Sequence, residues 1–411
     1  MSSIPAPDEM NKWRLETPGI DGWTRTARPD AKDKYFMVST DGHAQEPSDL
    51  WATRMDAKYK DRLPGITLAD NGAKFQKTEG FRPMRLRNIK FEGQDLIRNK
   101  AGYTPEERIA DLNADGVDAE ILFPNKGHTA WATPDAEFSQ AMCRVYNDWA
   151  WETFGEVNDV LSPMACIAPG DMLGAIKEIE RSAERGFRGL SLPCKPVWGA
   201  PNHEALNYNL PECDPLWTAI QETNLPITFH VSTGRDPRTS RGNGGAIINY
   251  TVHSLSPTME PIANLCASGV LDRFPNLKFG SVEAGIGWVA WALGAMDEAY
   301  KKHHMFVRPK LELLPSEYFK RNGFATFMED PAGLSQAREF GLTENFMWSN
   351  DYPHHEGSWP HSAQAIERTM TQINDAERAK ILGLNAARVF GFSIPEKYQN
   401  FDDVKSVADA Q

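Results

Sequence analysis

Short apolar runs alternate with amphipathic stretches along most of this chain. The run 35–40 (Tyr-Phe-Met-Val-Ser-Thr) mixes aromatic and β-branched residues, reads as a strand, and leads into Asp41, Gly42 and His43. Comparable runs lie at 119–124, 161–168, 189–193, 225–232, 277–283, 346–351 and, more weakly, 324–328. The intervals predict helices from 104 to about 114 and over 134–157, 171–185, 214–223, 257–269 and 288–303, with two more at 363–373 and 376–390. Thr104, Pro105 and Glu107 form a helix start: a capping hydroxyl, a proline at the first helical position and a glutamate at the third. Over 171–185, Leu173, Ile176, Ile179 and Ala183 share one face.

The strand runs are apolar without alternating, so both of their faces are expected to be covered, as in a parallel sheet wrapped by helices. Eight strand–helix units predict an α/β fold of the (β/α)8 TIM-barrel type over 34–392. No G-x-G-x-x-G follows a strand, which argues against a dinucleotide-binding sheet. Residues 1–33 are polar and predict an N-terminal arm. Residues 44–103 carry few apolar runs and predict an insertion after strand 1 with little core of its own. Residues 393–411 predict a C-terminal tail. Insertions of this size over a barrel usually shape specificity.

Composition narrows the classes. The chain has 411 residues, a net charge of −12 and a pI of about 5.4. An acidic chain repels phosphate backbones, so nucleic acid is not an expected partner. No apolar stretch is long enough for a membrane span, and residues 1–10 do not resemble a secretory signal. The five cysteines are scattered, with no C-x-x-C pair, as in a reduced cytoplasmic protein. The expected partners are a small-molecule substrate and other subunits, either identical copies or a paralogue.

Catalytic groups in barrels stand at the C-terminal ends of the strands. Those ends carry Asp41 and His43, then His230, then Glu283, then Asp351 with His354 and His355 close behind. Residues i and i+2 of a strand share a face, so Asp41 and His43 are expected to point into the barrel mouth together. Gly42 between them leaves room for close approach. Mixed His and carboxylate ligands suit Zn, Fe, Mn or Co, and a metal with an open position activates water. Singly, each residue has a plainer reading: a core histidine, a cap or a turn. Their conjunction at several strand ends points to a metal site.

Four ordered motifs, 41–51 (Asp-Gly-His-Ala-Gln-Glu-Pro-Ser-Asp-Leu-Trp), 274–288 (Phe-Pro-Asn-Leu-Lys-Phe-Gly-Ser-Val-Glu-Ala-Gly-Ile-Gly-Trp), 348–357 (Trp-Ser-Asn-Asp-Tyr-Pro-His-His-Glu-Gly) and 381–391 (Ile-Leu-Gly-Leu-Asn-Ala-Ala-Arg-Val-Phe-Gly), resemble the amidohydrolase-related family, in its aminocarboxymuconate-semialdehyde decarboxylase-like branch. The resemblance spans about residues 35–392. It implies a metallo-dependent hydrolase barrel with one or two divalent metals, zinc if mononuclear and iron or manganese if dinuclear. It further implies that Asp41 and His43 are the first-strand ligands, His230 the fifth-strand ligand, and Asp351 the eighth-strand carboxylate that binds metal and handles a proton. Where the branch carries a catalytic histidine at the sixth-strand end this chain has Glu283, which counts against simple decarboxylation. The fourth-strand end offers Lys195 only two residues past it, so no carbamylated-lysine bridge is expected.

Glu283 is read either as a general base or as a bridge to a second metal, joined by His253 and His354. His128 and Arg235 are candidate substrate contacts. The leading expectation is hydrolysis of a small amide, ester or lactone by metal-activated water, with Asp351 and Glu283 as catalytic groups. A dinuclear iron or manganese oxygenase and a metal-dependent decarboxylase are the alternatives.

Overall fold

The computed structural model describes residues 8–16, 35–81, 83–86, 90–195, 207–234, 240 and 242–398. The expected barrel is present as a ring of parallel strands. β1 (Val38–Ala44) comes first, and β2 (Gly65–Leu68), β3 (Lys74–Lys77) and β4 (Met84–Arg85) form a separate antiparallel sheet. The ring continues with β5 (Ala119–Pro124), β6 (Leu161–Pro163), β7 (Ala165–Cys166), β8 (Leu190–Leu192) and β9 (Ile227–His230). β10 (Phe279–Val282), β11 (Gly323–Phe327) and β12 (Phe346–Trp348) complete it.

Two hydrogen-bonded sheets, β1-β5-β6 and β7-β8-β9-β10-β11-β12, are joined where β6 runs into β7 through Met164. Met164 N–H still donates to Leu122 O at 2.9 Å, and Ala165 N–H donates to Gly189 O at 3.0 Å, so the chain hands over from one neighbour to the next without a gap. The other seam closes between β1 and β12. There His43 N–H donates to Tyr352 O at 2.7 Å, Asp351 N–H donates to Asp41 O at 3.0 Å, and Gly42 and Tyr352 form an isolated parallel bridge.

The ring strands are buried along their whole length, which is why their sequence is apolar without alternation. Helices Ala136–Phe154, Met172–Arg185, Asp214–Thr223, Met259–Ala267 and Val289–Lys302 cover them within a few residues of the expected bounds. The start at Thr104 is as expected: its side chain accepts from Glu107 N–H at 3.2 Å, and the helix ends on left-handed Gly116. Helices Pro315–Asn322 and Pro331–Ala337 lie where no helix was expected. The expected helix 376–390 is interrupted by a π-helical turn, Lys380–Leu384. A Cβ on Gly383 would stand 2.9 Å from Phe36 C, so glycine lets this turn lie directly on the backbone before β1.

The insertion carries more structure than its sequence suggests, with the β2-β3-β4 sheet and a helix at Gly93–Asn99, although β2 is exposed along its length. Of the expected arm, residues 8–16 are described. A 3-10 turn, Glu9–Leu15, docks buried Arg14 onto Gly357 O at 2.5 Å and onto His355 O. The start of the tail also docks, with Tyr398 packed on Phe36. Among the described residues no helix is long and apolar enough to cross a membrane.

Candidate metal centre

The C-terminal ends of β1, β9, β10 and β12 converge, and each delivers one or two ligand-type side chains. At β1 the pairing with β5 shifts register between Ser39 and Gly42, so the strand bulges at Thr40–Asp41 before presenting Asp41 and His43. His43 Nδ1 lies 3.0 Å from Pro124 O, which fixes the tautomer and leaves Nε2 as the free nitrogen facing the mouth. His230 ends β9, with Nδ1 3.0 Å from Val231 O and Nε2 3.3 Å from Asp41 Oδ1. Glu283 (φ 64°) and Asp351 (φ 52°) follow β10 and β12 in the left-handed region, an unusual backbone for these residues that directs both carboxylates inward.

Asp41, His43, His230 and Glu283 offer ligand atoms that all lie within 4.8 Å of one another. His230 Nε2 is 3.2 Å from Glu283 Oε2, and His43 Nε2 is 3.4 Å from Asp351 Oδ1 and 3.8 Å from Asp41 Oδ1. Donors sharing one ion at ~2.1 Å stand roughly 3.0–3.4 Å apart, so this spacing suits a common cation. Asp41 Oδ2, His43 Nε2 and both Asp351 oxygens are buried with no hydrogen-bond partner. Buried polar atoms are rarely left so, and here the orphaned atoms face one another. The residues therefore fit a divalent metal.

The electrostatics agree. Burial and the Asp351 charge push the Glu283 carboxyl well above the usual carboxylate range. Burial and Asp41 do the same to Asp351. Burial and three neighbouring imidazoles hold His43 well below the ordinary histidine value, so it remains neutral. Burial alone would lower His230, but Asp41 and Glu283 outweigh it and raise it. A cluster of buried acids that repel one another is the environment a cation relieves.

A second group overlaps the first: Glu283, Asp351, His354 and Glu356 also place ligand atoms within 4.8 Å. His354 stacks on His43 with ring centroids 3.9 Å apart. Glu356, exposed on its outer side, was not anticipated; its only signal was its position in the 348–357 motif. The expected substrate residue His128 sits on a 3-10 turn after β5, with its ring 4.5 Å from that of His230 and Nε2 buried and unpartnered. It too is within ligand distance of His43 and His230. Its turn is held by Glu46, whose carboxylate accepts from the N–H groups of Asn125, Lys126 and Gly127 at 2.9–3.0 Å.

The structure does not gather every expected residue. His253 rides a π-helical turn, Asn249–Leu255, with Nδ1 buried and unpartnered, and belongs to none of the ligand groups among the described residues. Arg235 lies outside the described residues. Lys195 Nζ lies 3.3 Å from Glu260 Oε2.

A family model described as amidohydrolase matches residues 97–392. A crystal structure of an amidohydrolase from Mycobacterium avium subsp. paratuberculosis aligns with a TM-score of 0.70 at 18% identity, covering 88% of this chain and 99% of that one. The 5-carboxyvanillate decarboxylase of Sphingomonas paucimobilis aligns at 0.63 and 23% identity, covering 88% and 100%. A dihydroxybenzoic acid decarboxylase from Polaromonas, solved with bound manganese and 2-nitroresorcinol, aligns at 0.58 and 18%, covering 89% and 100%. No curated protein sequence matches the chain. At these identities the solved structures share the fold.

Proposed function

This chain belongs to the amidohydrolase family, and from that premise we propose that it is a divalent-metal enzyme that decarboxylates a small aromatic or enoic acid. The observation that carries the reading is the compact set of Asp41, His43, His230 and Glu283, with Asp351 Oδ1 3.4 Å from His43 Nε2. Decarboxylases of hydroxylated benzoates on the same barrel support it, and they put decarboxylation ahead of the hydrolysis that the sequence ranks first.

Asp41, His43, His230 and Asp351 would hold the ion. The ion would supply a Lewis-acid anchor for the substrate carboxylate and an adjacent hydroxyl. Loss of CO2 breaks the bond between the carboxylate carbon and the ring or vinyl carbon and leaves the electron pair on that carbon, which then takes a proton. Glu283 stands where the resemblance places a histidine acid. A carboxylic acid beside the anchor performs the same delivery. His128, with its free Nε2 over the same group, is positioned to orient a substrate hydroxyl or carboxylate.

A second reading has its own observation. The overlapping group of Glu283, Asp351, His354 and Glu356 would suit a second ion, and an oxygen-rich pair of sites favours iron or manganese and reaction with dioxygen.

One experiment separates the readings. Protein loaded with manganese, zinc or iron is incubated with hydroxybenzoates and unsaturated acids while CO2, dissolved oxygen and metal equivalents are followed. CO2 release without oxygen uptake, lost in a Glu283→Gln protein that keeps its metal, is the expected result. Two equivalents with oxygen consumption would move the assignment to the second reading. Turnover of amides or lactones alone would restore hydrolysis and refute decarboxylation.

A further inference from the structure

Behind the ligand cluster, at the seam where the barrel closes, lies a buried cation that the proposed chemistry does not use. Arg108, from the helix Pro105–Asp115, is fully buried. Its Nη1 donates to His43 O at 2.8 Å, its Nη2 to Tyr352 O at 2.9 Å, and its Nε to Glu120 Oε2 at 2.6 Å. The guanidinium also lies over the Tyr352 ring, 4.6 Å from its centroid. His43 belongs to one strand end and Tyr352 follows Asp351 on the other. A single planar fork therefore ties together the backbones that carry Asp41, His43 and Asp351.

The seam explains why a fork is needed. β12 stops at Trp348, so beyond it the two segments are held by the Gly42–Tyr352 bridge, the Asp351–Asp41 backbone bond and the Ser39–Asn350 contact and not by a continuous ladder. Tyr352 O accepts from His43 N–H on one side and from Arg108 on the other. Glu120 completes the device from β5. Its Oε1 is buried with no hydrogen-bond partner and rests on Gly42, the residue between the two first-strand ligands. A buried ion pair is a poor source of stability, since apolar residues of similar size often do as well. What this pair supplies and apolar residues would not is a fixed separation between two strand ends.

We propose that Arg108, seated on Glu120, is a positioning residue that sets the distance between the Asp41–His43 ligands and Asp351, and so sets the metal affinity of the site. This inference rests on the metal-holding part of the proposed function and not on the reaction assigned to it.

The test uses the full chain, stripped of metal and titrated with Mn2+ while free and bound manganese are followed by electron paramagnetic resonance. Arg108→Lys keeps the charge and the ion pair but loses the fork. The double variant Arg108→Met, Glu120→Met removes both charges together. The expected result is a roughly 10- to 100-fold weaker Kd in each folded variant, the range found when residues that orient metal ligands are lost, with an altered line shape of the bound ion. A purely structural role would lower the thermal midpoint of the metal-free protein and leave the Kd unchanged. Either folded variant binding Mn2+ with the wild-type Kd and line shape overturns the inference, and if the double variant fails to fold, Arg108→Lys decides. A wild-type protein that binds neither manganese, zinc nor iron would instead overturn the proposed function, and this inference with it.

Discussion

Gly42→Ala is the smallest change that tests the packing beneath the ligand cluster. Gly42 lies in β1 outside the left-handed region, so an alanine there meets no backbone penalty. The cost is steric. A methyl group would stand 2.5 Å from Glu120 Cδ and nearer still to Oε1, where 3.4 Å is an ordinary contact, so the carboxylate must retreat by more than about 0.9 Å. It has nowhere to go cheaply, because Arg108 holds it at 2.6 Å and both groups are fully buried. Overpacking a tight core costs ~1–3 kcal/mol. Breaking a buried pair costs ~3–5 kcal/mol, which sets the ceiling. We expect a loss of about 2–4 kcal/mol. Unfolding entropy of ~2 cal/mol/K per residue then gives a fall in thermal midpoint of about 3–6 °C for a barrel of this size. The assay is thermal unfolding of the metal-free protein at one scan rate, followed by Mn2+ titration, in which affinity also falls because Asp41 and His43 flank the new methyl. A midpoint within about 1 °C of wild type, with unchanged affinity, would show that Glu120 is free to move and would refute the pinned arrangement.

Further outcomes follow from the same geometry. Manganese or zinc at 100 times its Kd is expected to stabilise the protein by ~2.7 kcal/mol, and Asp351→Asn to abolish most of that shift; an equal shift in both proteins would exclude Asp351 as a ligand. Burial raises the Asp115 carboxyl to about 7, against the hydrogen bonds it accepts from Ser362 and Asn350, so its stabilising contribution is complete at low pH and is lost as pH rises toward 7. Between pH 5 and 7, wild-type stability should therefore decline relative to Asp115→Asn, with a slope of up to ~1.4 kcal/mol per pH unit in urea unfolding, and parallel curves would contradict this. Glu46→Ala leaves three N–H donors, that of Gly127 buried, without their acceptor and should cost ~1–3 kcal/mol while displacing the turn that carries His128; no measurable change would mean that water replaces the carboxylate.

The pattern of apolar runs determined the ring. A strand buried on both faces must be apolar throughout, and such runs separated by amphipathic helices leave few architectures open. Local chemistry was equally legible. Thr104, Pro105 and Glu107 marked a helix start, because capping depends on neighbours within a few residues. The pairing of Asp41 with His43 on one strand face followed from strand periodicity alone.

Other features depend on contacts between distant residues, and those only the tertiary structure decided. The left-handed backbone at Glu283 and Asp351 belongs to residue types that rarely adopt it and is imposed by the surrounding barrel. Glu356 joins a ligand group and His253, on its π-helical turn, does not, a placement that tertiary packing alone sets. In sequence Arg108 is one of several charged residues on its helix, and Glu120 is the one acid in an apolar strand run. Only closure of the ring buries them, and it brings Arg108 to residues 65 and 244 positions away, His43 and Tyr352, where a desolvated guanidinium must find carbonyls to bind. Sequence periodicity reports which face of an element is apolar; it carries no information about which two faces meet, and the metal cluster and its supporting pair are built where they meet.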